Sequence, residues 1–339
     1  MPSANSSFWG IGKQSVKGTP ASTFSYLLFT EGGSGVNNGF LPLDEEIGGG
    51  PMVRDVVKAS VFSQGALSFI PRPTTLGHFL MGSMGKDTVT NIDVGASWKH
   101  AFTFDTDPYN VPYYTIMSAP GSMWADQIQD ARVASLAFQF KAAQFLRAQV
   151  ALQGGLPTKV AVPVAPSVDG GPQFLSPVSN IQLNVSGSLV DIPVLSGSFA
   201  IQQAMPLDEQ WIVGSYVPDA FDVTNRNFVM QLVLKVTDAT LYSKMTYDPA
   251  AGNDWVASVF KERDFVLEMI SPTNIGATTT PYKLAVKAHA TEDNVAWTAS
   301  PIALRAGRQV IMAVTGTFLA TSTGAPITIE LTNGQQTAY

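Results

Sequence analysis

The chain contains no cysteine, which excludes disulfide stapling, thiolate metal sites and cysteine nucleophiles together. Charge is also scarce: Asp, Glu, Lys and Arg make up 14% of the 339 residues, against about 25% in an ordinary soluble domain. A surface so poor in charge implies association, with much of it buried against other copies. Histidine is rarer still. His78, His100 and His289 are the three present, and none stands at metal-ligand spacing from another His, Asp or Glu, so they read as packed or surface histidines. Residues 1–9 lack a basic segment followed by an apolar run, which argues against a secretory signal and for synthesis in a cytoplasm. The longest apolar stretch, 310–320, is interrupted by Thr315, Gly316 and Thr317 and is too short for a membrane span.

Catalytic patterns are missing too. There is no Gly-x-Ser-x-Gly elbow to present a serine nucleophile. Gly32, Gly33 and Gly35 form a glycine-rich stretch without the Gly-Lys-Ser/Thr that lets a loop cradle phosphate. Carboxylates cluster at Asp44-Glu45-Glu46, Asp208-Glu209 and Asp105/Asp107. Glycoside hydrolysis needs two of them held opposed across a cleft, and adjacent residues on a loop are not so held. Asp105-x-Asp107 before Pro108 reads as a turn, short of a calcium loop. The expectation is a chain without cofactor, metal or catalysis. Lys and Arg form no patch, which argues against a grip on nucleic acid through phosphates.

What the chain does contain is β texture. Runs rich in Val, Ile, Thr, Phe and Tyr, separated by Gly, Pro, Asn and Asp, predict strands at 25–30, 66–70, 113–117, 134–140, 181–185, 228–236, 265–270, 282–288 and 309–317. Short helices are expected at 76–81, capped by Thr75 and ended by Gly82, and at 239–245, capped by Asp238. A weaker helical pattern covers 123–132. The fold class is all-β with a few short helices. The length suits two domains, placed at 1–155 and 175–339 with a Gly- and Pro-rich linker at 156–174. The first holds a long Gly-rich loop at 31–51, and the second a loop at 204–226. Residues 1–160 carry 11 basic and 11 acidic side chains and the remainder 9 and 15, so the whole net charge of −6 lies in the second half.

The halves also repeat. Pro42-Leu43-Asp44-Glu45 recurs as Pro206-Leu207-Asp208-Glu209, and self-similarity of this kind marks duplicated architecture. Leu67 and Phe69 then correspond to Leu232 and Leu234, and Thr75-Leu76 to Thr240-Leu241. Further on, 113–120 parallels 265–272 through Met117/Met269 and Pro120/Pro272. The reading is one scaffold used twice with different surfaces.

Gly12-Lys13-Gln14-Ser15-Val16-Lys17-Gly18-Thr19-Pro20-Ala21, a Gly-rich acidic loop, a strand, and Pro73-Thr74-Thr75-Leu76-Gly77-His78-Phe79-Leu80 follow one another in this order. This succession resembles the tail tube proteins of long-tailed, non-contractile bacteriophages, most strongly over 10–155 and loosely to about 335. The resemblance implies two tandem tail-tube-like β-sandwich or barrel domains, each with a short flanking helix. It also implies a structural role: subunits that assemble into stacked rings and form the conduit for DNA ejection. A duplicated chain would make a homotrimeric, pseudo-hexameric ring. Its partners would be further copies of itself, a tape-measure protein and tail-end proteins, with DNA passing unbound and no membrane involved. It would reside in the virion tail, and in the host cytoplasm before assembly. Gly32, Gly35, Asn37, Asp44, Glu45, Glu46, Asp208, Glu209, Trp211 and Tyr216 are then the candidates for contact between rings, and carboxylates are expected to keep the lumen repellent to phosphate. The alternative from another class is a carbohydrate- or receptor-binding β module of a virion or cell surface.

Overall fold

Strands whose apolar residues alternate with polar ones must bury one face, and among the described residues two sheets and one helix bury theirs together. The computed structural model describes residues 6–43, 52–53, 55–107, 109–121, 123–163, 166–185, 188–237, 243, 260–262, 265–289, 292–299, 302, 309–322 and 325–339. The first half contributes β1 (Phe8–Lys13), β2 (Ser25–Leu27), β3 (Glu31–Pro42), β4 (Val56–Phe69), α1 (Pro73–Met84), β5 (Gly85–Asp93), β6 (Ser97–Phe104), β7 (Tyr114–Ala119), β8 (Ala125–Lys141), β9 (Arg147–Gly154) and β10 (Pro157–Val160). The second contributes β11 (Leu175–Val185), β12 (Ser188–Asp191), β13 (Val194–Ala204), β14 (Asn225–Lys235), β15 (Phe260–Glu262), β16 (Val266–Asn274), β17 (Pro281–Ala288), β18 (Val295–Ala299), β19 (Ile311–Phe318) and β20 (Ile327–Asn333).

One sheet runs β15-β18-β19-β14-β13-β8-β7-β1-β2, with β9, β4 and β3 branching in turn from β8 and with β10 also on β8. The other runs β12-β11-β16-β17-β20-β6-β5. Neither closes into a barrel among the described residues. Both sheets cross from one half to the other, through β13 on β8 and β20 on β6. A single apolar cluster accordingly includes Trp9, Phe79 and Phe138 from the first half and Phe199, Phe265, Trp297 and Tyr339 from the second.

The helix differs from expectation at both ends. It starts at Pro73, at the first helical position, where the missing N–H costs nothing. It runs through Gly82 and stops at Gly85, whose N–H returns to the Met81 carbonyl. Thr75 does not cap it. Asp169, from the segment expected to be a linker, accepts from the Thr75 N–H at 3.0 Å, and a carboxylate at this end also complements the helix dipole. Gly77 is required for close approach: a Cβ there would lie 2.0 Å from the Tyr339 ring. Tyr339 is held beneath the helix by its hydroxyl, which donates to the Pro73 carbonyl at 3.0 Å and accepts from Asn333 at 2.8 Å.

Other expectations are corrected as well. The stretch read as the first part of a loop, Glu31–Pro42, is a strand paired along its length with β4. The helical pattern at 123–132 is the start of β8, a 17-residue strand. The expected linker includes β10, paired with β8, and Val168 bridges Tyr26. The proposed parallel of 113–120 with 265–272 does not hold topologically, because β7 and β16 belong to different sheets. The second expected helix falls outside the described residues except for Ser243.

Candidate functional site

The solvent face of the larger sheet is almost free of charge. Across eight neighbouring strands, one rung reads Glu31, Ser68, Gln149, Ala137, Ala200, Val229, Thr317, Ala296. The next on the same face reads Arg147, Gln139, Ser198, Gln231, Thr315, Thr298. On the other side of the first rung come Gly33, Ala66, Ala151, Ser135, Gln202 and Asn227. Each alternate residue points inward, and Leu67, Val150, Leu136, Phe199, Met230 and Val314 are buried. The face is thus a carpet of amides, hydroxyls and small side chains. Its unpaired cations, Lys141, Arg147 and Lys235, lie toward one end and have no ion-pair partner among the described residues; Arg132, on the same face at the other end, is buried and paired with Asp222 at 3.1 Å. The smaller sheet is the reverse: its outward side carries Lys287–Glu330 at 2.7 Å, Lys283–Glu268 at 3.0 Å and Lys99–Glu330 at 3.5 Å.

The eight strands are a four-strand pattern used twice. Strand order β3-β4-β9-β8 is followed directly by β13-β14-β19-β18. The Pro-Leu-Asp-Glu repeat fits this: Pro42 ends β3, and Pro206 lies two residues beyond the end of β13. Between the units lies a seam where Ser196 to Gln202 pair with Lys141 to Ser135. On its buried side Phe138 and Phe199 stack with centroids 6.3 Å apart and planes 8° apart. The two outer edges lack such a partner. Among the described residues β3 pairs with β4 alone, and β18 is covered on its outer side only at Val295–Trp297, by β15.

A family model described as phage tail tube protein matches residues 5–254, a span that takes in the whole of the first four-strand unit and β13 and β14 of the second. The chain belongs to the phage tail tube protein family. It is a structural subunit that assembles with further copies into the tube of a virion tail. No match was found among curated proteins. The alternative reading as a carbohydrate- or receptor-binding module gains no support.

On this tail tube subunit the sequence candidates separate. Gly32, Gly35 and Asn37 lie on β3, beside the free edge. Gly32 adopts φ 122°, and a Cβ there would come within 2.2 Å of the Ala66 carbonyl oxygen. Asp44, Glu45 and Glu46 lie outside the described residues. Asp208 and Glu209 are exposed at the start of the 205–224 segment. Trp211 is turned inward, packed on a small apolar cluster of Phe62, Val111, Met205, Phe221 and Val223. Tyr216 exposes its ring while its carbonyl accepts from the Val61 N–H at 2.7 Å. The segment is therefore laid back over the first half, where buried Arg132 donates to the Phe221 carbonyl at 3.0 Å and to Asp222 at 3.1 Å. Arg132 also stands 4.0 Å over the Tyr113 ring. Nearby Arg226, stripped of water by burial and next to Arg132, has its pKa lowered to about 10.

His78 and His100 serve packing. His78 contacts the Ser25 hydroxyl at 3.0 Å and the Tyr339 ring edge-on. Burial, reinforced by Lys13, lowers its pKa to about 4 and keeps it neutral. His100 lies between Asp87 at 2.8 Å and the Gln335 carbonyl at 2.9 Å. Asp105 and Asp107 accept from the Thr106 and Tyr109 backbone N–H groups as a turn does. At the seam, β8 was expected in part, at 134–140, whereas β13 and the pairing of the two strands were missed by sequence reasoning. Their alternating polarity marks each as half-buried, but nothing in it names the partner.

Proposed function

We propose that three copies close into a pseudo-hexameric ring in which the free edge of β3 in one copy pairs beyond Thr298 on β18 of the next, and that the uncharged face lines the lumen. The observation that carries this is the seam. Within the chain, β13 of the second unit pairs with β8 of the first; β3 and β18 are the corresponding strands and are left over at the two ends. Strand addition would satisfy the unpaired backbone groups of β3, which otherwise invite uncontrolled association. Such a contact is heterologous, so rotation closes it into a ring while the axial direction stays open for growth. The chains read as duplicated two-domain units joined at this seam.

Twenty-four strands spaced about 4.8 Å apart make a barrel roughly 37 Å or more across between backbones, wider with strand tilt. A DNA duplex fits within it, and ejected DNA in a siphovirus-type tail is the intended passenger. Passage without sticking comes from neutrality here and not from the carboxylate repulsion expected at the outset. Glu31 is the one acid on the rungs described, and it accepts from the Ser68 hydroxyl at 3.2 Å. Amides and hydroxyls offer phosphates no counterion release, which is the main source of non-specific affinity.

The lack of native cysteine makes the test clean. Gln202 faces Ser135 across the seam, and the corresponding pair between copies is Asn37 and Thr298. In tubes of the Asn37→Cys, Thr298→Cys variant, oxidation should link chains into species that end at three. Ladders continuing past three chains, or no linkage in intact tubes, would reject the ring.

A further inference from the structure

We propose that successive rings stack head to tail through charge, with Lys141, Arg147 and Lys235 of one ring set against Asp208 and Glu209 of the next. This inference rests on the ring reading above, and adds to it the partner surface and the polarity of the tube.

The two ends of the uncharged face have opposite character. Lys141 faces Ser196 near the start of β13, and Arg147 lies one rung in from it, opposite Gln139. The Lys235 N–H reaches the Pro193 carbonyl at 2.9 Å, which puts this cation at the same end. All three sit where β13 begins. Where β13 finishes, the chain enters 205–224 with Asp208 and Glu209 exposed and without ion-pair partners among the described residues. Asp219 adds a further carboxylate there, 61% exposed and only loosely paired with Lys17 at 3.6 Å. A segment anchored through Phe62 overhangs this end, because Phe62 lies on the same side of β4 as Gln64 and Ala66. Ile212, Val213 and Tyr216 are exposed beside these acids, and Phe145 and Leu195 are exposed at the cationic end.

Stacking related rings along one axis brings unlike ends together by symmetry. Head-to-head contact would oppose carboxylates to carboxylates, so the same charges discriminate against inverted rings. Pairing would also neutralise the cations of a lumen otherwise nearly free of charge, which removes the phosphate contacts they would make if left free. The second copy is thus the occupant that the charge pattern fits at both ends.

The test uses the full chain carrying the Asn37→Cys and Thr298→Cys reporters. One variant reverses the cations (Lys141→Glu, Lys235→Glu), a second reverses the acids (Asp208→Lys, Glu209→Lys), and a third combines all four changes. Expected are normal three-chain cross-links and melting in every case. Elongation, followed by light scattering and negative-stain microscopy, should need about tenfold or more protein in the first two variants, since several weak exposed pairs are lost around each ring. The combined variant should recover most of that loss. Unaltered elongation should also weaken between about 0.1 M and about 1 M salt, as the Debye length falls from about 10 to about 3 Å. The proposal is overturned by reversal variants that elongate normally, by a combined variant no better than either, or by reversed chains that melt normally yet lose their rings. Absence of three-chain links before any charge is reversed would count against the ring reading instead, and the stacking contact would still be judged by elongation.

Discussion

Replacing Phe199 with Ala removes a fully buried ring from the seam between the two halves. Phe199 is 0% exposed; it stacks on Phe138 and meets Phe318 edge-on with centroids 6.1 Å apart. Losing a buried Phe side chain costs about 3–5 kcal/mol from transfer and the remaining cavity. Parallel stacking across the seam contributes about 0.5–1.5 kcal/mol beyond area. Phe138→Ala should cost a similar amount, and the double variant should fall short of the sum of the singles by that coupling. Exposed Phe145→Ala should stay within about 0.5 kcal/mol and serves as the control. The assay is urea unfolding, with midpoint shifts at unchanged slope taken as changes in stability. A Phe199→Ala cost below about 1 kcal/mol, or additivity of the two singles within about 0.3 kcal/mol, would refute a tightly packed seam.

Protonation gives a second expectation. His78 has a folded pKa of about 4 against an ordinary 6.5, so between these values the unfolded chain binds a proton that the folded chain does not. Stability from neutral His78 is complete above about pH 6.5 and falls as pH drops toward 4, by an amount on the order of 3 kcal/mol; His78→Gln should flatten that part of a stability-versus-pH curve relative to the unsubstituted protein. Tyr339→Phe deletes the hydroxyl joining Pro73 and Asn333 beneath α1 and should lower stability by about 1–2 kcal/mol in urea titrations, whereas an unchanged midpoint would mean the contact contributes nothing net. Gln231→Arg places a cation in the middle of the neutral face; assembled tubes should then retain duplex DNA in a salt-sensitive manner in a filter or anisotropy assay. Equal retention by unsubstituted tubes would show that the face is not non-stick.

The strands with strong Val, Ile and Phe alternation were legible from sequence, because half-burial leaves a period of two. Phe228 to Lys235 and Tyr282 to Ala288 are clear cases. Glu31–Pro42 was not, since Gly32, Gly33, Gly35, Asn37, Asn38 and Gly39 are poor strand formers and the strand exists through its pairing with β4. Helix α1 was found but shortened, because its cap comes from Asp169, 94 residues away in sequence. The repeated Pro-Leu-Asp-Glu begins at the end of β3 and just past the end of β13, and Met117/Met269 misled because a shared local pattern does not specify which sheet a strand joins. The neutral face emerged only with the registers, which gather Ser, Gln, Thr and Ala from eight strands onto one side.

Electron cryo-microscopy of assembled tubes, viewed along the axis, tests the account most directly. Three chains per ring, with β3 of each paired to β18 of its neighbour and Gln139, Ser198, Gln231 and Thr315 lining the lumen, is the predicted result. Six chains per ring, or a lumen lined by the ion-paired sheet of Lys287, Glu330 and Lys283, would contradict it.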